Sequence, residues 1–168
     1  ASVTSSYANG TIISCNGLCD GAATAVGTGG NPGSTYNFLW SASANSQTSF
    51  TATGLCAGTH SVTITDQNGC SAIDSVTLNE PIQLAATSSG TGIDCFGGAT
   101  GSVQVNAVTG TGTPNYTYTL GSVTNSTGLF SNLGIGTYCV TITDGNNCSI
   151  VECVTLSQNT LLVASAFV

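Results

Sequence analysis

The 168-residue sequence predicts an all-β chain: tandem immunoglobulin-like β-sandwich repeats closed by intra-repeat disulfides. Three observations carry that expectation. Short segments alternate strictly between apolar and polar residues. The sequence resembles itself at a spacing of about 80 residues, the kind of period that marks a repeat architecture. Eight cysteines sit in a chain of which only 4% is charged.

The alternation is clearest in two runs. His60, Val62 and Ile64 alternate with Ser61, Thr63 and Thr65, and Tyr138, Val140 and Ile142 alternate with Cys139, Thr141 and Thr143. A two-residue period places one set on each face of a strand, and β-branched and aromatic residues fit a pleated, half-buried surface. No i, i+3, i+4 stripe of a helix accompanies them. Asp66-Gln-Asn-Gly69 and Asp144-Gly-Asn-Asn147 read as hairpin turns, because Asp and Asn bond their own backbone and tolerate a left-handed φ. Many short strands between Gly, Asn and Pro turns are the pattern of a sandwich.

The self-similarity divides the chain. Cys15-Asn-Gly-Leu-Cys-Asp-Gly21 aligns with Cys95-Phe-Gly-Gly-Ala-Thr-Gly101, and Tyr36-Asn-Phe38-Leu-Trp40 with Tyr116-Thr-Tyr118-Thr-Leu120. Phe50 aligns with Phe130, Gly58–Asp66 with Gly136–Asp144, and Val76-Thr-Leu78 with Val154-Thr-Leu156. Residues 1–80 are thus read as one repeat and 81–159 as a second. Leu162-Val-Ala-Ser165 matches Leu84-Ala-Ala-Thr87, so 160–168 reads as the first strand of a third repeat or a strand donated to a neighbour. The assembly strand expected there comprises Leu161, Leu162, Val163, Phe167 and Val168, all apolar and uncharged. Left uncovered, such a run invites strand pairing with another chain.

Charge excludes several function classes. Lys+Arg is 0 and Asp+Glu is 7, so nothing is available to neutralise phosphate. Nucleic acid and anionic membrane surfaces are therefore not expected as partners. No apolar stretch is long enough for a transmembrane helix. The opening Ala1-Ser-Val-Thr4 has neither the basic nor the apolar region of a signal peptide, so the sequence reads as a mature fragment.

The cysteines lack CxxC spacing and only one histidine accompanies them, which argues against zinc. An even number in a loop-rich chain points to disulfides in an oxidising compartment. Cys15 with Cys70, and Cys95 with Cys148, recur in both repeats and are paired on that ground, each closing a loop of about 55 residues worth about 4 kcal/mol by chain entropy. The other four are lost in pairs between repeats. Cys19 and Cys56 align with Ala99 and Gly134, and Cys139 and Cys153 with Ser61 and Ser75, giving Cys19–Cys56 and Cys139–Cys153. A hairpin centred on Asn146 also sets Cys139 opposite Cys153 on the outward face.

These motifs together, Cys-Asn-Gly through Asp-Gly, the alternating aromatics ending in Trp40, and Gly-Thr-(His/Tyr)-x-Val-Thr-Ile-Thr-Asp followed by Cys, resemble the SprB-type repeat of Bacteroidota gliding and cell-surface adhesins. The resemblance covers both repeats. It implies type IX export to the cell surface and a structural or adhesive role. It also implies O-glycosylation at Ser75, since Asp74-Ser75-Val76 fits the Asp-(Ser/Thr)-apolar acceptor pattern. His60 stands where that repeat carries Tyr, Leu120 where it carries Trp, and the extra disulfides are not part of its usual pattern.

No residue set announces chemistry. His60 falls on an inward strand face where the sister repeat has Tyr138, which reads as packing. Asp20, Asp66 and Asp144 read as turn caps more readily than as Ca²⁺ ligands, because a calcium site concentrates carboxylates. Trp40 reads as a core tryptophan rather than a sugar-stacking platform. Asn9, Asn115, Asn125 and Asn147 head Asn-x-Ser/Thr sequons, which count only in a host with that machinery. The expectation is a non-enzymatic, extracellular repeat with no cofactor, no metal and no catalytic residue. Its partners are further copies of itself and, secondarily, surface glycans. The alternative is a carbohydrate-binding module of a secreted enzyme.

Overall fold

The structure, a computed structural model, describes residues 2–4, 13–30 and 35–167. The chain forms two compact units, Ala1–Pro81 and Ile82–Val168. Residues 160–167, expected to begin a third unit, fall within the second and lie outside any strand.

The first unit contains strands β1 (Ser2–Thr4), β2 (Gly21–Val26), β3 (Asn37–Trp40), β4 (Thr51–Leu55), β5 (Gly58–Thr65) and β6 (Ser71–Leu78). They make two antiparallel sheets, ordered β1-β2-β4 and β3-β5-β6. The second unit contains β7 (Ala86–Thr91), β8 (Gly101–Ala107), β9 (Thr117–Leu120), β10 (Val123–Asn125), β11 (Leu129–Leu133), β12 (Gly136–Thr143) and β13 (Ser149–Leu156). Its sheets are ordered β11-β8-β7 and β10-β9-β12-β13. In each unit the strand that pairs with the second strand is reached only after an excursion through the other sheet. That crossing, with a closing hairpin on the far sheet, is the connectivity of an immunoglobulin-like sandwich.

Each core lies between its two sheets, because alternate residues of every strand point inward. In the first unit Ala23, Ala25 and Ala52 of one sheet face Trp40, Val62, Ile64 and Leu78 of the other. In the second, Val103, Val105 and Phe130 face Tyr118, Val140, Ile142 and Leu156. The registers make Ala23 the counterpart of Val103 and Ala52 that of Phe130. Trp40 is likewise the counterpart of Leu120. One unit therefore combines a tryptophan with three alanines where the other combines a leucine with two valines and a phenylalanine.

The same registers correct one sequence alignment. Phe50 does not correspond to Phe130; it is 58% exposed, just ahead of β4, while Phe130 is buried. The offset arises between β3 and β4. Unit one makes a 3₁₀ turn there, Ala42–Ala44, where unit two inserts β10.

Glycine opens β2 and β8 for a steric reason. A Cβ on Gly21 would stand 2.7 Å from Ile13 Cδ1 and 2.9 Å from the Leu55 carbonyl oxygen, and one on Gly101 would stand 2.9 Å from the Leu133 carbonyl oxygen. Both positions bring two strands together under the end of the core.

Candidate functional site: the two poles of each unit

Each unit has a leading pole, where its first strand starts, and a trailing pole, where its last strand leaves. In the first unit the trailing pole gathers residues 13–20 against the end of β6. The Ile13 amide donates to the Asn79 carbonyl, Asn16 Nδ2 donates to Glu80 Oε1 at 3.0 Å, and the Gly17 amide donates to Glu80 Oε2 at 2.7 Å. Cys15 lies inside this loop. The leading pole carries the β5–β6 turn with Asp66 and Cys70, beside Gly27, Gly30 and Tyr36. The second unit repeats the arrangement. Its trailing pole ties 93–97 to the end of β13: the Ile93 amide donates to the Ser157 carbonyl and the Gly97 amide to Gln158 Oε1. Its leading pole carries the β12–β13 turn with Asp144 and Cys148, next to Leu84 and Gly112.

This placement overturns two of the expected disulfides. Cys70 and Cys95 are free and exposed, so neither Cys15–Cys70 nor Cys95–Cys148 is formed. The reason is distance along a strand. Cys15 sits at the end of β6 and Cys70 at its start, eight residues apart, and Cys95 and Cys148 are separated in the same way by the eight residues of β13. At about 3.3 Å per residue that is roughly 25 Å, whereas a disulfide needs Cα atoms within about 7 Å. Cys15 and Cys148 are themselves disulfide-bonded.

Two bonds are seen within units. Cys19 is bonded to Cys56, Cα–Cα 3.9 Å, at the trailing pole of the first unit. Cys139 is bonded to Cys153, Cα–Cα 4.0 Å, directly opposite in the β12–β13 ladder. Their counterparts Ser61 and Ser75 face each other in the β5–β6 ladder.

Beside Cys56 the single histidine does structural work. Tyr138, near the start of β12, donates from its hydroxyl to the Gly134 carbonyl four residues upstream at 3.1 Å. That bond is the tyrosine corner of immunoglobulin-like sandwiches. His60 takes this place in the first unit: Nε2 donates to the Cys56 carbonyl at 2.9 Å, and Nδ1 lies 3.1 Å from Ser43 Oγ. The ring is only 2% exposed, so both nitrogens are used where water cannot replace their partners. His60→Phe should therefore lower stability by about 1–3 kcal/mol, the cost of leaving buried polar groups unsatisfied. His60→Tyr, the sister unit's residue, should cost less; urea midpoints compare them.

The acids cap turns. Asp66 Oδ1 accepts from the Asn68 and Cys70 amides, both at 2.9 Å. Asp144 Oδ1 accepts from Asn146 and Cys148 at 2.9 Å, and its Oδ2 accepts from the Thr113 amide at 2.8 Å. Asp20 accepts from the Ser14 hydroxyl and amide, and the hydroxyl bond in particular holds its carboxyl below the usual range. These three carboxylates belong to separate turns.

The remaining sites are dispersed. Ser75 is exposed on β6. Trp40 is 1% exposed, with its indole N–H donating to the Ser49 carbonyl at 2.9 Å, so it offers no face to a sugar. Asn125 is committed to its own turn, accepting from the Thr127 and Gly128 amides. Asn9 and Val168 lie outside the described residues. Leu161, Leu162, Val163 and Phe167 are all exposed.

Among the described residues no helix is long and apolar enough to cross a membrane. No family model matches the chain, and no curated protein matches it. Among solved structures, it is similar to the crystal structure of murine CEACAM1b over 78% of this chain and 89% of that one, at 12% identity and a TM-score of 0.31.

Proposed function

We propose that this chain is a structural or adhesive repeat of an extracellular bacterial surface adhesin or filament, working by end-to-end assembly rather than by catalysis. The observation that carries the reading is a contrast between matched residues. Leu84, ahead of β7, is buried in the second unit's core, whereas Leu162, its counterpart in the repeated Leu-x-Ala-(Ser/Thr) motif, is 94% exposed. A segment that is core in one place and bare in the other is suited to a following sandwich. Several features support this. Disulfides fit an oxidising exterior. The only histidine is locked into the scaffold. The SprB-type motifs point to a Bacteroidota surface protein, exported and glycosylated at Ser75.

Truncation tests the reading. Gln158 and Asn159 hold the trailing pole, the latter donating to the Asp94 carbonyl, so the cut belongs after Thr160. With exposed thiols blocked by iodoacetamide, the full chain should sediment as linear assemblies and the chain ending at Thr160 as folded monomers. Monomers in both cases, or equal assembly in both, would overturn the role of the terminal segment.

A further inference from the structure

We infer that Cys95 of one copy and Cys70 of the next form an intermolecular disulfide that locks copies head to tail. The inference rests on the end-to-end reading above but on different residues. Cys15 and Cys95 occupy one position of the repeat, at the trailing pole; Cys70 and Cys148 occupy another, at the leading pole. Cys15 lies on the first unit's trailing pole and Cys148 on the second unit's leading pole. Both of those cysteines are disulfide-bonded. The members of the same two classes left over, Cys95 on the second unit's trailing pole and Cys70 on the first unit's leading pole, are free and exposed. A second copy supplies each with the class of cysteine it lacks.

The surroundings of the two thiols also complement each other. Phe96, next to Cys95, is exposed, and its counterpart beside Cys15 is the polar Asn16. Cys70 lines a shallow, mostly apolar groove with Gly27, Tyr36, Ile64, Ala72 and the Asp66 carboxylate, and the proposed contact seats Phe96 of the neighbouring copy on it. Each copy carries one thiol of each class on different poles. The contact is therefore heterologous, and a heterologous contact that does not close builds an open filament.

The bond forms by thiol–disulfide exchange with a disulfide oxidant. The Cys95 thiolate attacks one sulfur of the oxidant and expels its other half as a thiolate. The Cys70 thiolate of the next copy then attacks the Cys95 sulfur of the mixed disulfide and expels the second half. The two protein thiols give up two protons and two electrons in total, and the oxidant is reduced to two thiols.

The test is to treat the full chain with oxidised glutathione and separate it without reducing agent. A ladder of multimers should appear and collapse on reduction. Peptide mapping without trypsin should recover a Cys70–Cys95 linked pair. Cys70→Ser and Cys95→Ser should each abolish every band above the dimer, and an equimolar mixture of the two variants should give the mixed dimer in excess over both self-dimers. Both sites are exposed, and circular dichroism of each variant checks that it is folded. A ladder surviving in the double variant, a Cys70–Cys95 bond confined to monomers, or self-dimers as abundant as the mixed dimer would each overturn the inference. Non-covalent assembly persisting in the double variant would leave the end-to-end reading standing while the ladder result decides the bond.

Discussion

Trp40→Ala should destabilise the first unit by about 3–5 kcal/mol, the usual cost of deleting a large aromatic from a core that cannot collapse around the hole. Its neighbours across the sandwich are already minimal. Ala23, Ala25 and Ala52 leave the space that the indole fills, and no side chain among them can move in. The loss includes the hydrogen bond from the indole to the Ser49 carbonyl, which fastens the loop ahead of β4. The second unit suggests the repair. It places Phe130 where the first has Ala52 and a smaller Leu120 where the first has Trp40, so Trp40→Leu combined with Ala52→Phe should recover part of the loss. Hydrogen exchange resolved by residue checks both variants. Protection should fall in β3 and β5 for Trp40→Ala and return in the double variant. Equal losses in the single and double variants would show that the two cores are not alternative fillings of one frame.

The strands were readable because burial on one face writes a two-residue period that survives without any knowledge of partners. His60 to Thr65 and Tyr138 to Thr143 show it directly. What joins the strands is less readable. The link between β3 and β4 depends on Gln47, whose side chain bonds the Thr53 amide and carbonyl of β4 as a neighbouring strand would. Nothing local to Gln47 in the sequence announces that reach, and the misplaced alignment of Phe50 with Phe130 falls in the same link, where the second unit inserts β10 instead. The cysteines teach a related lesson. Aligning the chain with itself matches Cys15 with Cys95, and Cys70 with Cys148, but equivalence says nothing of proximity. Counting residues along β6 and β13 would have placed the members of each supposed pair at opposite poles. The histidine corner was half legible: the alignment with Tyr138 marked His60 as inward, while the four-residue reach of its Nε2 to the Cys56 carbonyl is set by the path of the corner before β5.

Replacing Cys19 and Cys56 together with alanine should lower the stability of the first unit by about 4 kcal/mol, more than the same change at Cys139 and Cys153. The bonds span sequence separations of 37 and 14 residues respectively, and a longer closed loop removes more freedom from the unfolded chain, giving about 4 against about 3 kcal/mol. The folded state points the same way. Cys139 and Cys153 join strands already held by a continuous ladder from Gly136 to Thr143, so their bond adds little order there. Cys19 and Cys56 instead tie an irregular segment ahead of β2 to the corner before β5. A unit of about 80 residues has little stability to spare. The variant should nevertheless fold, because the second unit carries Ala99 and Gly134 at these positions and still makes its corner from Tyr138 to the Gly134 carbonyl. The histidine corner should be independent of the disulfide. The carbonyl that His60 holds is the backbone oxygen of residue 56, which Cys56→Ala leaves in place, so adding His60→Phe to the alanine pair should cost about its separate effect. Urea unfolding of the four variants measures both quantities. Should the alanine pair at Cys139 and Cys153 prove the more damaging, chain entropy is not what these disulfides contribute.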